Sequence, residues 1–193
     1  MGKIDLSDFM PPIFYRVVSY LQRKRRDGSI KIHPFDNVPI NLNVKWVLDV
    51  GANVGDVAVA ALKSYENAQV ICFEPVESTF RVLSKRMEPF SGRSYLFNVA
   101  LSDLEESGAI NITSHHGANS ISPQSKFHQD CNPHVREIGK ERIHLVRLDD
   151  MLAKLPSQKI DIMKIDVEGH EINVLKGGRN FISENVDVVI VEV

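Results

Sequence analysis

From residue 46 onward, short apolar runs rich in β-branched residues alternate with segments whose apolar positions recur every three or four residues. The short runs predict buried strands, and the longer spacing predicts amphipathic helices. The predicted strands are 46–50, 70–73, 95–99, 160–165 and 186–193. The predicted helices are 54–65, 76–87 and 171–175. Strands separated by helices in this way predict an α/β fold with a doubly wound, mostly parallel sheet.

The first 45 residues follow a different pattern. The apolar residues spaced like one face of a helix are Phe14, Val17, Val18 and Leu21. A basic run at 23–26 and a glycine at Gly28 follow, as at the end of a helix. We therefore expect residues 1–45 to form an N-terminal helical extension that packs on the core. The basic run would also suit anionic membrane lipids, although basic residues commonly complement the dipole at a helix C-terminus.

The stretch 109–147 interrupts the alternation. It contains two predicted strands, 109–113 and 143–147, on either side of a polar loop. Four of the seven histidines lie in this polar insertion: His115, His116, His128 and His134. Together with Cys131, the last two have a spacing seen among metal ligands, but no complete four-ligand set is visible. We therefore predict no metal.

Length and composition indicate a single core. With 193 residues and 43% apolar content the chain can bury one sizeable core, which we assign to residues 46–193. The net charge of -2 provides no basic field, so nucleic acid is not an expected partner. Two cysteines, one of them (Cys72) inside an apolar run, predict a protein of the reducing cytoplasm. No apolar run reaches the length of a transmembrane helix, so no transmembrane segment is expected.

The first predicted strand leads into a tight turn with two glycines, Gly51 and Gly55, ahead of a helix. Such a turn lets the backbone approach a ligand closely and directs helix N–H groups at it. A dinucleotide fingerprint would need glycine where this chain has Asn53 and Asp56, and Asp56 would repel a pyrophosphate. Asp49 adds a second carboxylate, so the negative charge at this turn favours binding of a cation over a phosphate. S-adenosylmethionine fits, because it carries an ammonium and a sulfonium and no phosphate.

Ionisable residues follow two further strands. Glu74 ends the second predicted strand, about where α/β nucleotide sites bind two ribose hydroxyls. The fourth leads into Asp166, Glu168 and His170, which we expect in the same crevice because ligands bind beyond the carboxyl ends of the strands. These three are the candidates for deprotonating an acceptor, in the order His170, Asp166, Glu168. Alternatively, Glu168 and Glu171 are acidic residues that only stabilise a helix N-terminus.

Three motifs, at 47–56, 99–103 and 164–178, together resemble the FkbM-like methyltransferases. The most specific part is the run Asp-Val-Glu-Gly-His-Glu at 166–171, and the resemblance covers about 46–193. It implies the class I, Rossmann-like methyltransferase fold and S-adenosylmethionine as methyl donor. It also implies that the acceptor is a hydroxyl group of a sugar, a polyketide or a related small metabolite.

The resemblance further implies roles for individual residues. Those expected around the methionine part of the cofactor are Asp49, Gly51, Asn53 and Gly55. Those expected at the ribose and the adenine are Glu74, Ala100 and Ser102. Those expected on the acceptor side are Asn119, Ser120 and Glu192.

The class I fold normally adds an antiparallel strand pair beyond the point at which this sequence stops. We therefore expect the last antiparallel strands to be missing and the strand 186–193 to be an apolar edge. Either the chain is a fragment, or another element or a second subunit of a homo-oligomer covers this strand. Taken together, the sequence predicts an O-methyltransferase. Two alternatives stay open: a non-catalytic domain that binds the cofactor or a partner, and a nicotinamide oxidoreductase.

Overall fold

The structure of the protein is a computed structural model that describes residues 16–20, 43–114, 119–121, 134 and 136–192, with the backbone alone for 16–20 and 192. The strands in these ranges are β1 (Arg16–Tyr20), β2 (Trp46–Val50), β3 (Gln69–Phe73), β4 (Ser94–Phe97), β5 (Ala100–Leu101), β6 (Glu106–Thr113), β7 (Glu137–Val146), β8 (Ile160–Ile165) and β9 (Val186–Glu192). The α-helices are α1 (Asp56–Ser64), α2 (Glu77–Met87), α3 (Glu171–Gly177) and α4 (Arg179–Asn185). Among the described helices, none has the length and apolar character needed to span a bilayer.

Six strands form one sheet in the order β1-β9-β8-β2-β3-β4, and every pairing in it is parallel. The chain runs outward from β2 through β3 to β4, and it then returns to the other side of β2 through β8 and β9. This is the predicted doubly wound sheet, and the class I, Rossmann-like fold is confirmed. The reversal leaves a crevice at the carboxyl ends of β2 and β8, where ligands of such sheets bind.

The strands predicted in this sheet are confirmed. β2 and β8 have the predicted bounds, and β3, β4 and β9 differ from the prediction by one or two residues at an end. The helix α4 was not predicted, because the pair at Gly177 and Gly178 is typical of a helix end. In the structure α4 begins directly after this pair, and the Asp149 carboxylate accepts a hydrogen bond from Phe181 N at 2.8 Å. That contact satisfies one of the N–H groups a helix leaves unpaired at its start.

Side chains of the central strands alternate between two apolar cores, one on each face of the sheet. On β2, Leu48 belongs to the core that includes Val174 of α3, whereas Val47 belongs to the core that includes Ala58 of α1 and Leu83 of α2. Each of these side chains is fully buried. Burial of a large aliphatic side chain contributes about 1.5–3 kcal/mol. The two cores thereby fix where the strand ends lie.

The polar insertion carries a second, three-stranded sheet in the order β5-β7-β6. β6 and β7 are antiparallel and pair from Glu106 opposite Leu145 to Thr113 opposite Glu137. This confirms the two strands predicted at 109–113 and 143–147 and extends both. The histidines and the cysteine considered as metal ligands lie outside the described residues, except His134, which is exposed.

The N-terminal helix predicted around Val17 and Val18 is wrong for residues 16–20, which form β1. This strand pairs in parallel with β9, with Arg16 opposite Val188. The edge of β9 offers a row of unpaired backbone groups, and two adjacent β-branched valines suit a strand, so pairing outweighs the helical spacing. One of the two expected ways of covering the edge of β9 is confirmed, because another element of the chain, β1, pairs with it. The rest of 1–42 lies outside the described residues.

Replacing Gly177 with alanine is expected to destabilise the fold by about 1–3 kcal/mol. A Cβ at Gly177 would lie 1.8 Å from the carbonyl oxygen of Ser102, so the helix α3 would have to move away from the backbone beside the crevice. This cost outweighs the higher helix propensity of alanine. Urea unfolding measures the change. Gly92→Ala is the control, because a Cβ there meets no atom within 4 Å; equal losses in both variants would contradict the packing argument.

Candidate functional site

A cleft opens at the carboxyl ends of β2, β3 and β8, where the strand order reverses. The empty space between its walls, counted out to the open mouth, is about 610 Å³. The predicted site residues that line it are Gly51, Asn53, Glu74, Ala100, Asn119, Asp166, Glu168 and His170. The other lining residues are apolar and include Phe73, Pro75, Val99 and Leu101.

The turn at residues 51–55, here called the glycine turn, depends on left-handed backbone conformations. Gly51 has φ 77°, Asn53 has φ 51° and Gly55 has φ 87°. A Cβ at Gly51 would lie 1.9 Å from the carbonyl oxygen of Asp166, so glycine is needed for the close approach as well. The N–H groups of Gly51 and Ala52 both donate to the Phe73 carbonyl oxygen at 3.0 Å. The turn is therefore held against the ends of both β8 and β3.

Glu74 forms part of the cleft wall and is only 6% exposed. Its carboxylate accepts hydrogen bonds from Asn53 N at 2.9 Å and Val76 N at 3.0 Å. Burial raises the pKa of this carboxyl to about 7, even though the two hydrogen bonds oppose the shift. Glu74 thus links the glycine turn to the start of α2 and places a carboxyl with unused acceptor capacity at the cleft.

A buried lysine lies beneath the glycine turn. The Lys164 ammonium is 3.1 Å from the Asp166 carboxylate, 3.6 Å from the Asp49 carboxylate, and within 3.4 Å of the Gly51 carbonyl oxygen. Asp49 is fully buried, and burial raises its pKa while the positive charge of Lys164 lowers it. Lys164 therefore compensates two carboxylates at once, one inside the protein and one at the cleft. It was not among the predicted site residues, although it is the first residue of the motif at 164–178.

The segment 166–171, here called the acid loop, is held from within by Glu171. The Glu171 carboxylate accepts hydrogen bonds from Val167 N at 3.2 Å and Gly169 N at 3.0 Å. Glu171 is 7% exposed, so its role is more than that of an exposed charge at a helix N-terminus. Between these two N–H groups lies Glu168, which has φ 52°. Burial, then the charges of Asp166 and Glu171, raise the pKa of Glu168 to about 7.

His170 lines the cleft and is 8% exposed. Its Nε2 lies 3.0 Å from the Ser102 hydroxyl, which also donates to the Asp103 carboxylate at 3.2 Å. Burial lowers the pKa of His170, which favours the neutral imidazole. One ring nitrogen is thus engaged by Ser102, a residue that does not itself line the cleft.

Two of the residues predicted on the acceptor side, Asn119 and Ser120, connect the second sheet to the acid loop. Asn119 lines the cleft, and its side-chain oxygen accepts a hydrogen bond from Thr113 N at 2.8 Å. Ser120 is 2% exposed and donates its hydroxyl hydrogen to the Glu168 carbonyl oxygen at 2.6 Å. The structure therefore joins residues that are far apart in the sequence.

Some predicted site residues do not line the cleft: Asp49, Gly55, Ser102 and Ser120. The side chain of Glu192 is outside the described part of the chain. The sequence analysis missed the apolar wall. Its signal was that Phe73, Pro75, Val99 and Leu101 lie at, or two residues beyond, the ends of predicted strands. In the described ranges no group of three or more His, Cys, Asp and Glu residues is arranged to hold a metal ion.

A family model described as "Methyltransferase FkbM domain" matches residues 49–193. This range contains the glycine turn, Glu74, the polar insertion and the acid loop. The chain belongs to the FkbM methyltransferase domain family. The predicted resemblance is thereby confirmed.

Two relatives of this FkbM-family chain have names that describe an activity more specifically. The 2-O-methyltransferase NoeI of Sinorhizobium fredii is 30% identical over 169 residues, which cover 83% of this chain and 68% of NoeI. The hexuronic acid methyltransferase AglP of Haloferax volcanii is 31% identical over 151 residues, covering 78% of this chain and 56% of AglP. A crystal structure of methyltransferase FkbM from Methylobacillus flagellatus KT matches with 19% identity and a TM-score of 0.47, covering 88% of this chain and 35% of that one.

Replacing Lys164 with methionine is expected to lower the free energy of unfolding by about 3–5 kcal/mol at pH 8, because two carboxylates lose their buried counter-charge. Since burial already raises the pKa of Asp49, protonation can relieve the variant, so the loss should be smaller at pH 5. Urea unfolding at both pH values measures it. Lys63→Met, at an exposed position of α1, is the control. A loss that does not depend on pH would contradict this account.

Proposed function

We propose that the protein is an S-adenosylmethionine-dependent O-methyltransferase whose acceptor is a hydroxyl group of a sugar, a polyketide or a related small metabolite. The observation that carries the proposal is the charge of the cleft. Its described lining contains Glu74, Asp166 and Glu168 but no lysine or arginine. This set suits a cationic cofactor without phosphate and is unfavourable for the pyrophosphate of a dinucleotide. The nicotinamide alternative is therefore not favoured.

The residues present fit S-adenosylmethionine. The backbone of Gly51 and Asn53 lines the approach to the methionine part, and the Glu74 carboxylate can accept hydrogen bonds from the ribose hydroxyls. The apolar neighbours of Ala100, which include Val99 and Leu101, provide a surface for the adenine. When bound, the cofactor would supply an activated methyl group on its sulfonium. Asp49, Gly55 and Ser102 would support this site from behind the wall rather than by contact.

Methyl transfer to a hydroxyl also needs a group that takes up the proton of the hydroxyl. Of the three candidates, Asp166 is ion-paired with Lys164, and one ring nitrogen of His170 is engaged by Ser102. Glu168 lines the cleft with a pKa of about 7, which suits a general base at neutral pH. We therefore assign the proton-accepting role to Glu168 and rank His170 behind it. From the sequence, His170 was expected first and Glu168 last.

The acceptor is assigned from chemistry and from the relatives. Two relatives support this choice: the name 2-O-methyltransferase indicates transfer to an oxygen, and the name hexuronic acid methyltransferase indicates a sugar acid as acceptor. Asn119 and, from the second sheet, Ile110 line the cleft. Because loops usually set specificity, the polar insertion would select the acceptor. Reduced cysteine, as at the buried Cys72, supports a reaction in the cytoplasm.

Calorimetric titration with S-adenosylmethionine and its demethylated product tests the cofactor assignment. We expect both to bind, and Glu74→Gln to bind them about 10- to 100-fold more weakly, because a hydrogen bond to a charged group contributes about 1.5–3 kcal/mol. Glu77→Gln is the matched control, since Glu77 is exposed on α2. An intact chain that binds neither compound would count against the cofactor assignment. Binding without transfer to any acceptor would favour the non-catalytic domain.

The base assignment predicts a pH profile for transfer of labelled methyl groups to a panel of hexoses and hexuronic acids. The turnover number should rise as pH rises through about 7, because the base must be deprotonated. Glu168→Gln should lose this acidic limb and about 10²- to 10⁴-fold in turnover, with cofactor affinity retained. Should His170→Asn remove the limb while Glu168→Gln keeps it, the histidine is the base instead.

A further inference from the structure

A three-residue segment, 119–121, connects the second sheet with the acid loop. Ser120 pairs with Asn111 of β6 through two backbone hydrogen bonds, of 2.9 and 3.3 Å. Its hydroxyl points the other way and donates to the Glu168 carbonyl oxygen at 2.6 Å. With 2% exposure, Ser120 is shielded from water that could replace either contact. The segment is therefore a rigid link between two parts of the chain rather than an exposed strand of the insertion.

The residue at the other end of this link has an unusual backbone conformation. Glu168 has φ 52°, in the left-handed region that residues with a Cβ avoid, and Gly169 follows with φ 95°. A conformation of this kind persists only where its surroundings hold it. On one side the Glu171 carboxylate holds the N–H groups that flank Glu168. On the other side the Ser120 hydroxyl holds the carbonyl of Glu168 itself.

We propose that Ser120 is a positioning residue that holds Glu168 in its left-handed conformation at the cleft, through the hydrogen bond from its hydroxyl to the Glu168 carbonyl oxygen. The inference rests on the proposed function, since it takes Glu168 as the proton acceptor. It gives the polar insertion a second role besides binding the acceptor. Through Ser120, the sheet that faces the acceptor also sets the position of the group that would deprotonate it.

The pKa of Glu168 reports on the hydrogen bond from Ser120, because it depends on how deeply Glu168 is buried. Burial is the main reason for its raised pKa; Asp166 and Glu171 raise it further, and Lys164 lowers it. Glu74 and His170 line the same cleft. A substitution at Ser120 leaves the side chains of all these ionisable residues chemically the same. Loss of the Ser120 hydroxyl would let the acid loop relax toward solvent. The pKa of Glu168 should then fall toward the ordinary value of a glutamate.

The experiment is a pH titration of the full chain carrying glutamate labelled with ¹³C at the side-chain carboxyl, followed by NMR. Glu168→Gln identifies the Glu168 resonance by its absence. We expect Ser120→Ala to lower the Glu168 midpoint by about one unit or more, while the Glu74 midpoint stays in place. Ser120→Thr, which keeps the hydroxyl, should hold the midpoint near that of the unaltered chain. Ser107→Ala, at an exposed position of β6, is the matched control and should change neither.

A Glu168 midpoint that is the same in the unaltered chain and in Ser120→Ala would overturn the proposal. So would an equal fall in Ser120→Thr, because the hydroxyl would then not be responsible. If the alanine variant does not fold, Ser120→Cys replaces it with the same expectation, since a thiol is a weak donor. The titration needs neither cofactor nor acceptor. A chain that binds no S-adenosylmethionine yet shows the Ser120 effect would keep the positioning link and lose the proposed function.

Discussion

The site depends on the close approach of two backbones, those of Gly51 and Asp166. A side chain at residue 51 would collide with the Asp166 carbonyl, and Asp166 N donates to the Val50 carbonyl oxygen at 3.1 Å. Parallel pairing of β2 and β8 sets up this contact. Because of it, the glycine turn and the acid loop face one cleft although they are remote in sequence. The cleft depends on this contact between the ends of β2 and β8, where the strand order of the sheet reverses.

The second constraint is electrostatic. The described lining of the cleft has acidic side chains and no lysine or arginine, so the positive charge that balances them comes from Lys164, beneath the glycine turn. Burial then separates the roles of the acidic groups. Asp166 is engaged in an ion pair, whereas Glu74 and Glu168 both have a pKa of about 7. The cleft thus combines a local negative charge, suited to a cation, with carboxyls that can exchange protons at neutral pH.

Local pattern predicted most of the fold because the central strands of the main sheet, such as β2, β3 and β8, are short apolar runs that are buried on both faces. It failed at 16–20, where the partner strand, not the spacing within the segment, decides the conformation. It failed again at α4, where a glycine pair that usually ends a helix separates two helices. In the site, charged residues were found because they end strands. Contacts such as Ser120 with Glu168 were not, since they join distant segments through a main-chain carbonyl that carries no sequence signal.

The pairing of β1 with β9 has a consequence for how the protein is made. The main sheet joins two strands that are far apart in the sequence, with Val17 opposite Val189. Such a contact closes a very large loop, and loop closure of this kind slows folding. During synthesis β1 can pair with β9 only after residues 186–192 have left the ribosome. Until then, the backbone groups of residues 16–20 are available to chaperones and to other nascent chains.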